Sequence, residues 1–301
     1  MAGINTNRTT ITLPAEVSNE ILQKMQTGSA VMQLSRKIPL PGLGAVIPVI
    51  TSDPSASWVT ETNEKPASNP GLSTKLMQAY QLAVIVPFSN QFRRDANALY
   101  DAIVERLPLA LAQKFDQTVI GGVEAPGENF DTFANCTAQA LVPGANETVY
   151  GNLVAAYGDI AAHNGSMNGI AISPVGMGLL LGATGTDARP IFNTAADAAI
   201  ARILGARTLE SRGMYKAGVA PVGTGAGTPA LVGVAGDWTQ AMWGTVGDVQ
   251  ISISEESTLT IGTQQINLWQ RNMFAVRAEI EVGFRADTDC FNLLSGATPT
   301  A

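Results

Sequence analysis

The chain has 301 residues, a formal net charge of −7 and an apolar fraction of 46 %, so it can bury a large core, and disorder as its main state is excluded. Only 14 % of residues are charged, against ~25 % in ordinary soluble domains; a free monomer keeps its surface wet with charge, so much of this surface is expected to face other protein. The acidic balance leaves no whole-chain basic footprint for nucleic acid, His163 as the single histidine removes most histidine catalysis and every multi-histidine metal site, and Cys136 and Cys290 are too few for a disulfide framework or a zinc ribbon.

The length suggests one large or two modest domains. Residues 1–40 read as an arm with one short helix. Pro14 opens it, Val17, Ile21, Leu22 and Met25 form its apolar stripe, and Gly28 stops it. Residues 41–80 read as a long hairpin. Its outgoing strand is Ala45–Ile50, its return strand runs from Leu76 to Val86, and its polar tip spans Glu61–Gly71. A lone two-stranded hairpin is marginal in water, so a neighbouring subunit is expected beneath it. A long helix from about Asn97 to Ile120 follows, with Leu99, Ile103, Leu107, Ala110, Leu111, Phe115 and Val119 at helical spacing. Pro108 should bend or split it.

Residues 123–145 are loop-like. A helix over about Thr148–Ala162 with Val149, Leu153, Ala156, Tyr157 and Ile160 on one face, a buried strand Gly169–Ser173 and a Pro174-initiated helix through Leu181 suggest a separate α/β lobe at about 123–250. The end returns to strands at Val249–Ser254, Leu268–Arg277, Ala278–Phe284 and Asp289–Leu293. No secretory leader is visible at the start. The long uncharged runs 164–186 and 217–236 are broken by Pro174, Pro221 and Pro229 and do not read as membrane spans.

Each candidate for chemistry has a plainer explanation. Gly223-Thr224-Gly225-Ala226-Gly227-Thr228 lacks the lysine of a phosphate loop and reads as a surface loop. Asp287-Thr288-Asp289 and Glu255-Glu256 lack a calcium-loop pattern and read as solvated turns. His163 falls at a helix C-terminus, where an imidazolium gains from the helix dipole, and no Gly-x-Ser-x-Gly motif accompanies it. No cofactor and no metal site is implied, and the enzymatic readings are weak. An arm, a protruding hairpin, a long helix, a separate lobe and low charge describe an assembly protein.

The order of segments resembles the major capsid protein of tailed bacteriophages, with its α+β Hong Kong 97-like fold. Trp58-Val59-Thr60-Glu61 through Lys65-Pro66 resembles the family's hairpin tip. Val84-Ile85-Val86-Pro87-Phe88-Ser89 with Arg94-Asp95 resembles the entry to its spine helix. Ala112-Gln113-Lys114-Phe115-Asp116, Gly121-Gly122 and Pro126-Gly127 resemble the end of that helix. Ile203-Leu204-Gly205 and Gly236-Asp237-Trp238 fall in the later lobe, and Arg271–Glu279 resembles the closing strand region. The likeness covers about residues 40–295.

The resemblance implies an N-terminal arm (1–40), an extended β-hairpin loop (41–80), a peripheral domain carrying the spine helix (81–122 and 252–283) and an axial domain (123–251 and 284–301). It implies hexamers and pentamers of this chain closing an icosahedral shell around double-stranded DNA, without sequence-specific DNA binding and without a membrane. Trp58, Glu61, Lys65 and Pro66 would then touch a neighbouring subunit. The implied location is the virion capsid, assembled in the bacterial host cytoplasm, with scaffold, portal and decoration proteins as further partners. Met1 is present and the arm begins at once, so a separate scaffold or none is expected. Some relatives weld subunits by an isopeptide bond between a hairpin lysine and an asparagine, with a glutamate taking the proton; the matching positions hold Lys65, Asn272 and Glu279. That bond needs a neutral lysine, hence burial or a proton acceptor, and a polar tip with an ion pair explains the same residues. The alternative on the same fold is an encapsulin-type shell around an enzyme cargo. A weaker third reading, from a different class, is a small-molecule enzyme using the Gly223–Thr228 loop.

Overall fold

The computed structural model describes residues 15–52, 56–61, 63–65, 67, 71–90, 96–142, 144, 147–185, 190–192, 202–222 and 227–299. The arm holds two helices rather than the one expected, α1 (Ala15–Gly28) and α2 (Ala30–Leu34), followed by strand β1 (Arg36–Pro39). Ser29 separates the helices. Its backbone is extended and its hydroxyl accepts from the Met32 amide, which makes it the N-cap of α2. Gly28 does not adopt the left-handed conformation of a helix stop. Its role is close approach, because a Cβ there would lie 2.9 Å from Leu109 Cδ2 on the long helix.

The hairpin is built from β2 (Ala45–Ser52) and β3 (Gly71–Met77), paired antiparallel from Ala45↔Met77 to Ile50↔Leu72. The expected return strand Leu76–Val86 is in fact two strands, because the chain changes partner at Gln78-Ala79. From Tyr80 onward it forms β4 (Tyr80–Ser89) and pairs with the body. Helix α3 (Ala96–Val119) then runs through Pro108 without splitting. Leu107, Leu111, Phe115 and Val119 stand four residues apart and are all buried in one core. That packing spans both sides of the proline and offsets the missing backbone hydrogen bond.

The second half supplies β5 (Ala138–Ala140), α4 (Val149–Ala162), β6 (Gly169–Ile172), α5 (Pro174–Leu181), β7 (Arg202–Ile203), β8 (Ala206–Glu210) and β9 (Leu231–Gly236). It continues with β10 (Ala241–Thr245), β11 (Gln250–Ser254), β12 (Thr258–Ile261), β13 (Gln264–Asn267), β14 (Met273–Ala286) and β15 (Phe291–Ser295). Thr148 caps α4 and Ser173 caps α5, each through its hydroxyl. The two strands expected over Leu268–Phe284 are one 14-residue strand, β14, preceded by a turn at Asn272. Asp289 lies in a 3-10 turn ahead of β15 and not inside a strand.

Two sheets organise these elements. β14 is the axis of the first: β4 pairs with it from Ser89↔Met273 to Tyr80↔Val282, while β10 and β11 share its other edge and β1 extends the sheet beside β10. The second is a mixed six-stranded sheet in the order β5-β15-β9-β6-β8-β7. One core lies between α3 and the two sheets, where the Phe115, Phe130, Phe133 and Phe284 rings meet edge-on or tilted and Phe133 stacks on Phe291 at 4.4 Å. A second core lies between the six-stranded sheet and the inner faces of α4 and α5, including Leu153, Ile160 and Leu180. The hairpin joins neither sheet, and β2 and β3 pair with each other alone.

Candidate functional site

The hairpin is where the chain exposes apolar surface it ought to cover. Val46 is 65 % exposed and Leu76 40 %, on a ribbon of only two strands. Trp58, in the segment between the strands, has its whole side chain in solvent. Glu61, Glu64 and Lys65 near it are also exposed. Pro66 lies outside the described residues. A solvent-exposed tryptophan flanked by charges suits a protein–protein contact, since tryptophan is enriched among the anchors of such interfaces. The root of the ribbon is different: Met77 is fully buried, and the turn at Gly44 needs φ +90°, where a Cβ would strike the Met77 carbonyl at 2.7 Å. A buried root and an uncovered tip make an arm that reaches away from its own body.

Of the three residues matched to an isopeptide weld, Lys65 is exposed in the segment between the hairpin strands, and Asn272 and Glu279 are apart in a single chain. Asn272 sits at the corner before β14, with φ +52°, and its carbonyl oxygens accept from the Asn90 side chain at 2.7 Å and the Asn90 amide at 3.1 Å. Glu279 is seven residues along the same strand, ~24 Å away at ~3.4 Å per residue. Its carboxylate accepts from Arg277 Nη2 at 3.1 Å and from Gln81 Nε2 at 3.0 Å. The ion-pair role expected for Glu279 is therefore met within the chain. Any weld would have to draw Asn272 and Glu279 from different copies.

The remaining chemical candidates fall into structural roles. His163 caps the C-terminus of α4, its Nδ1 lying 2.9 Å from the Asp159 carbonyl. It lines a polar cleft of about 510 Å³ with Cys136, Asp159 and Asp289. Burial, and then the Asp289 carboxylate, push the Cys136 thiol up to about 12, so it holds no thiolate nucleophile at neutral pH. Cys290 is buried and is likewise raised to about 11, by burial first and by Asp287, Asp237 and Asp289 after it. Glu255 and Glu256 lie in the bend between β11 and β12. Of the glycine-rich segment, residues 223–226 lie outside the described residues, and its flanks are closed by a Val219–Thr228 bridge. Among the described residues, no group of three or more His, Cys, Asp or Glu could hold a metal ion, and no helix is long and apolar enough to cross a membrane.

Sequence reasoning missed three features. Asp116 is fully buried inside α3, at the junction with the arm. Arg285 and Asp131 form an ion pair at the hairpin's root. Trp269 is 76 % exposed beside the β12–β13 ribbon. Only the first had a signal, a lone carboxylate within the apolar stripe of α3. The other two depend on contacts between distant segments or on exposure that spacing does not encode.

A long helix across one sheet, a second mixed sheet with its own helices, and a two-stranded ribbon extended from their junction make up the α+β Hong Kong 97-like shell fold. Solved structures of the same fold include a chain from Gordonia phage Cozz (TM-score 0.68, 22 % identity, 90 % of this chain and 87 % of that one). A chain from Mycobacterium phage Cain matches with a TM-score of 0.68 and 20 % identity, over 100 % of this chain and 96 % of that one. A chain in the capsid of an empty GTA particle matches with a TM-score of 0.62 and 14 % identity, over 99 % and 96 %. In sequence, the chain is 28 % identical over 309 residues to the probable major capsid protein gp17 of Mycobacterium phage L5, covering 96 % of this chain and 90 % of that one. The counterpart in Mycobacterium phage D29 is 27 % identical over 305 residues, covering 94 % and 91 %. The phage capsid family matches residues 9–287, and the chain belongs to that family.

Proposed function

We propose that this protein is the major capsid subunit of a tailed phage, assembling as hexamers and pentamers into an icosahedral shell around double-stranded DNA. The observation that carries this reading is the hairpin: an apolar, tryptophan-tipped ribbon outside both sheets, in a chain of the phage capsid family. In the shell, Trp58, Glu61, Lys65 and Pro66 would rest on the adjacent subunit, and the arm would embrace another. Closure follows from repeating one set of complementary patches, with apolar burial contributing ~25 cal/mol per Å² before the costs of association. The net charge of −7 suits a wall that does not grip packaged DNA, since tight phosphate binding needs clustered Lys and Arg. On this reading the protein acts by assembly and not by catalysis, in the host cytoplasm and then in the virion.

Electron microscopy of the purified protein tests it. Closed shells of uniform diameter are expected, filled with DNA when taken from lysates of infected cells. Monodisperse single subunits at high concentration would overturn the reading, and shells filled with an enzyme would replace it with a cargo compartment. Because Glu279 is already engaged by Arg277 and Gln81, the contacts between subunits are taken as non-covalent. Particles boiled in SDS should run as monomers of 31.4 kDa; covalent ladders would reinstate the weld at Lys65 and Asn272.

A further inference from the structure

A strand inside a sheet is oriented by its backbone ladder. The β2–β3 ribbon pairs with neither larger sheet, so no ladder sets its direction. Something else must do so where it joins the body. β4 stops pairing with β14 at Val282, and the ribbon's root takes over the vacated edge. The Gln78 carbonyl lies 2.6 Å from where a Cβ on Gly283 would be, so only glycine lets the root lie this close.

Immediately beyond, three charged side chains from three segments converge. Arg285 of β14, nine-tenths buried, donates through Nε to the Leu76 carbonyl at 2.8 Å, through Nη1 to Asp131 Oδ1 at 2.6 Å and through Nη2 to Asn129 Oδ1 at 2.8 Å. Asp131 Oδ2 accepts from the Ala286 amide at 3.1 Å and lies 3.9 Å from Lys75 Nζ. Lys75, on the ribbon itself, donates to the Ala286 carbonyl at 3.1 Å. The guanidinium thus reaches the ribbon with one edge and the 129–131 loop with the other.

We propose that Arg285, Asp131 and Lys75 form a positioning lock that fixes the angle at which the hairpin leaves the body, and so selects the neighbour it reaches. The second clause rests on the shell reading above; the first does not. A planar fork with donors in fixed directions is what such a lock needs, and a lysine at position 285 would satisfy one acceptor and leave the others. Two neighbouring ribbon residues, Lys75 and Leu76, are held to two neighbouring strand residues, Arg285 and Ala286. That resists rotation as well as separation.

The test measures the angle in the unassembled subunit. Nitroxide labels at Ser57→Cys and Asp248→Cys, both exposed positions, in a Cys136→Ala background, report the ribbon-to-body distance by pulsed electron resonance. Lys75→Met removes a ribbon-side hold from a side chain that is 38 % exposed, so the variant folds. It should widen the distance distribution about twofold with an unchanged Tm. Arg285→Lys should widen it further where it folds. The same variants should yield irregular or unclosed assemblies. A distribution in Lys75→Met that superposes on the parent's would overturn the lock, whatever the protein assembles into. Failure of the shell reading would look different: no particles from the parent protein, with the distances unaffected.

Discussion

Asp116 is a fully buried carboxyl. The Ser29 hydroxyl donates to its Oδ1 at 2.5 Å, and the Ala30 amide and the Ser211 hydroxyl donate to its Oδ2 at 3.0 and 2.6 Å. It therefore joins the N-terminus of α2, the last turn of α3 and the turn after β8 at one point. Burial outweighs these donors and raises its pKa to about 6. The sign follows from proton uptake. Between about 4 and 6 the folded chain holds a proton that the unfolded chain has lost, so this group's contribution falls as pH rises through that window and is flat above it. Raising the carboxyl from about 4 to about 6 corresponds to about 3 kcal/mol. Asp116→Asn imitates the protonated form: its NH₂ donates to the Ser29 oxygen, and its carbonyl takes the Ala30 and Ser211 donors. Urea midpoints of the unassembled variant and parent should therefore agree near pH 4. They should separate in the variant's favour up to pH 6 and stay parallel beyond. A gap independent of pH would contradict the assignment. The equivalent group in the other lobe, Asp237, behaves oppositely. Burial acts to raise it, but donors from Thr239, Ser166 and Asn168 together win and hold it below the usual carboxylate range. It stays charged across the same window.

At the scale of elements, what was legible followed local periodicity. The α4 boundaries, the Ser173–Pro174 start of α5 and the buried part of the α3 stripe, Leu107, Leu111, Phe115 and Val119, all depend on residues within a few turns of one another, and all three occur where spacing puts them, whereas Ala110 and Tyr157, expected on the inner faces of α3 and α4, are exposed. The errors arise where partner choice matters. Leu76–Val86 alternates without a break, yet Gln78-Ala79 is where pairing passes from β2 to β14. Conversely, nothing local announces that residues 273–286 form one strand. Ten consecutive pairs with β4 make it so. Long-range closeness also hides in glycines. Gly169 and Gly236 face each other in register across β6 and β9, and their missing side chains leave a flat floor. On it lie Trp238, whose indole N–H donates to the Gly169 carbonyl at 2.9 Å, and Phe291. A Cβ on Gly236 would come within 2.2 Å of the Phe291 ring and 2.8 Å of the Cys290 carbonyl. Because the ring is wedged between Phe133 and Trp238, it cannot swing aside. Gly236→Ala should therefore cost about 1–3 kcal/mol, read as a lower urea midpoint. Unchanged stability would mean that the floor is looser than its packing implies.

At the scale of the whole molecule, the low charge and the uncovered hairpin are one fact seen twice. A chain that stabilises its protruding parts on sister copies needs little charge there, and each copy then carries apolar surface left open until assembly. Burying one tryptophan is worth on the order of 2–3 kcal/mol, too little to hold two subunits against the cost of association. A closed shell repeats that contact in every copy, so a modest loss per contact acts on all of them at once. Deleting residues 55–72 removes the tip with Trp58 and the first two residues of β3, while Met77, Lys75 and the Arg285 contacts at the root remain. No described residue of the deleted segment belongs to the body cores, so the shortened subunit should fold, with near-parental Tm, and sediment as small species instead of particles. Trp58→Ala should fall between the two, with shells that form at higher protein concentration and fall apart sooner on dilution. Particles of normal size and stability from the deletion would show that the hairpin does not carry the contact, and the search for it would move to the exposed outer face of α4, where Tyr150, Val154 and Tyr157 stand in a row.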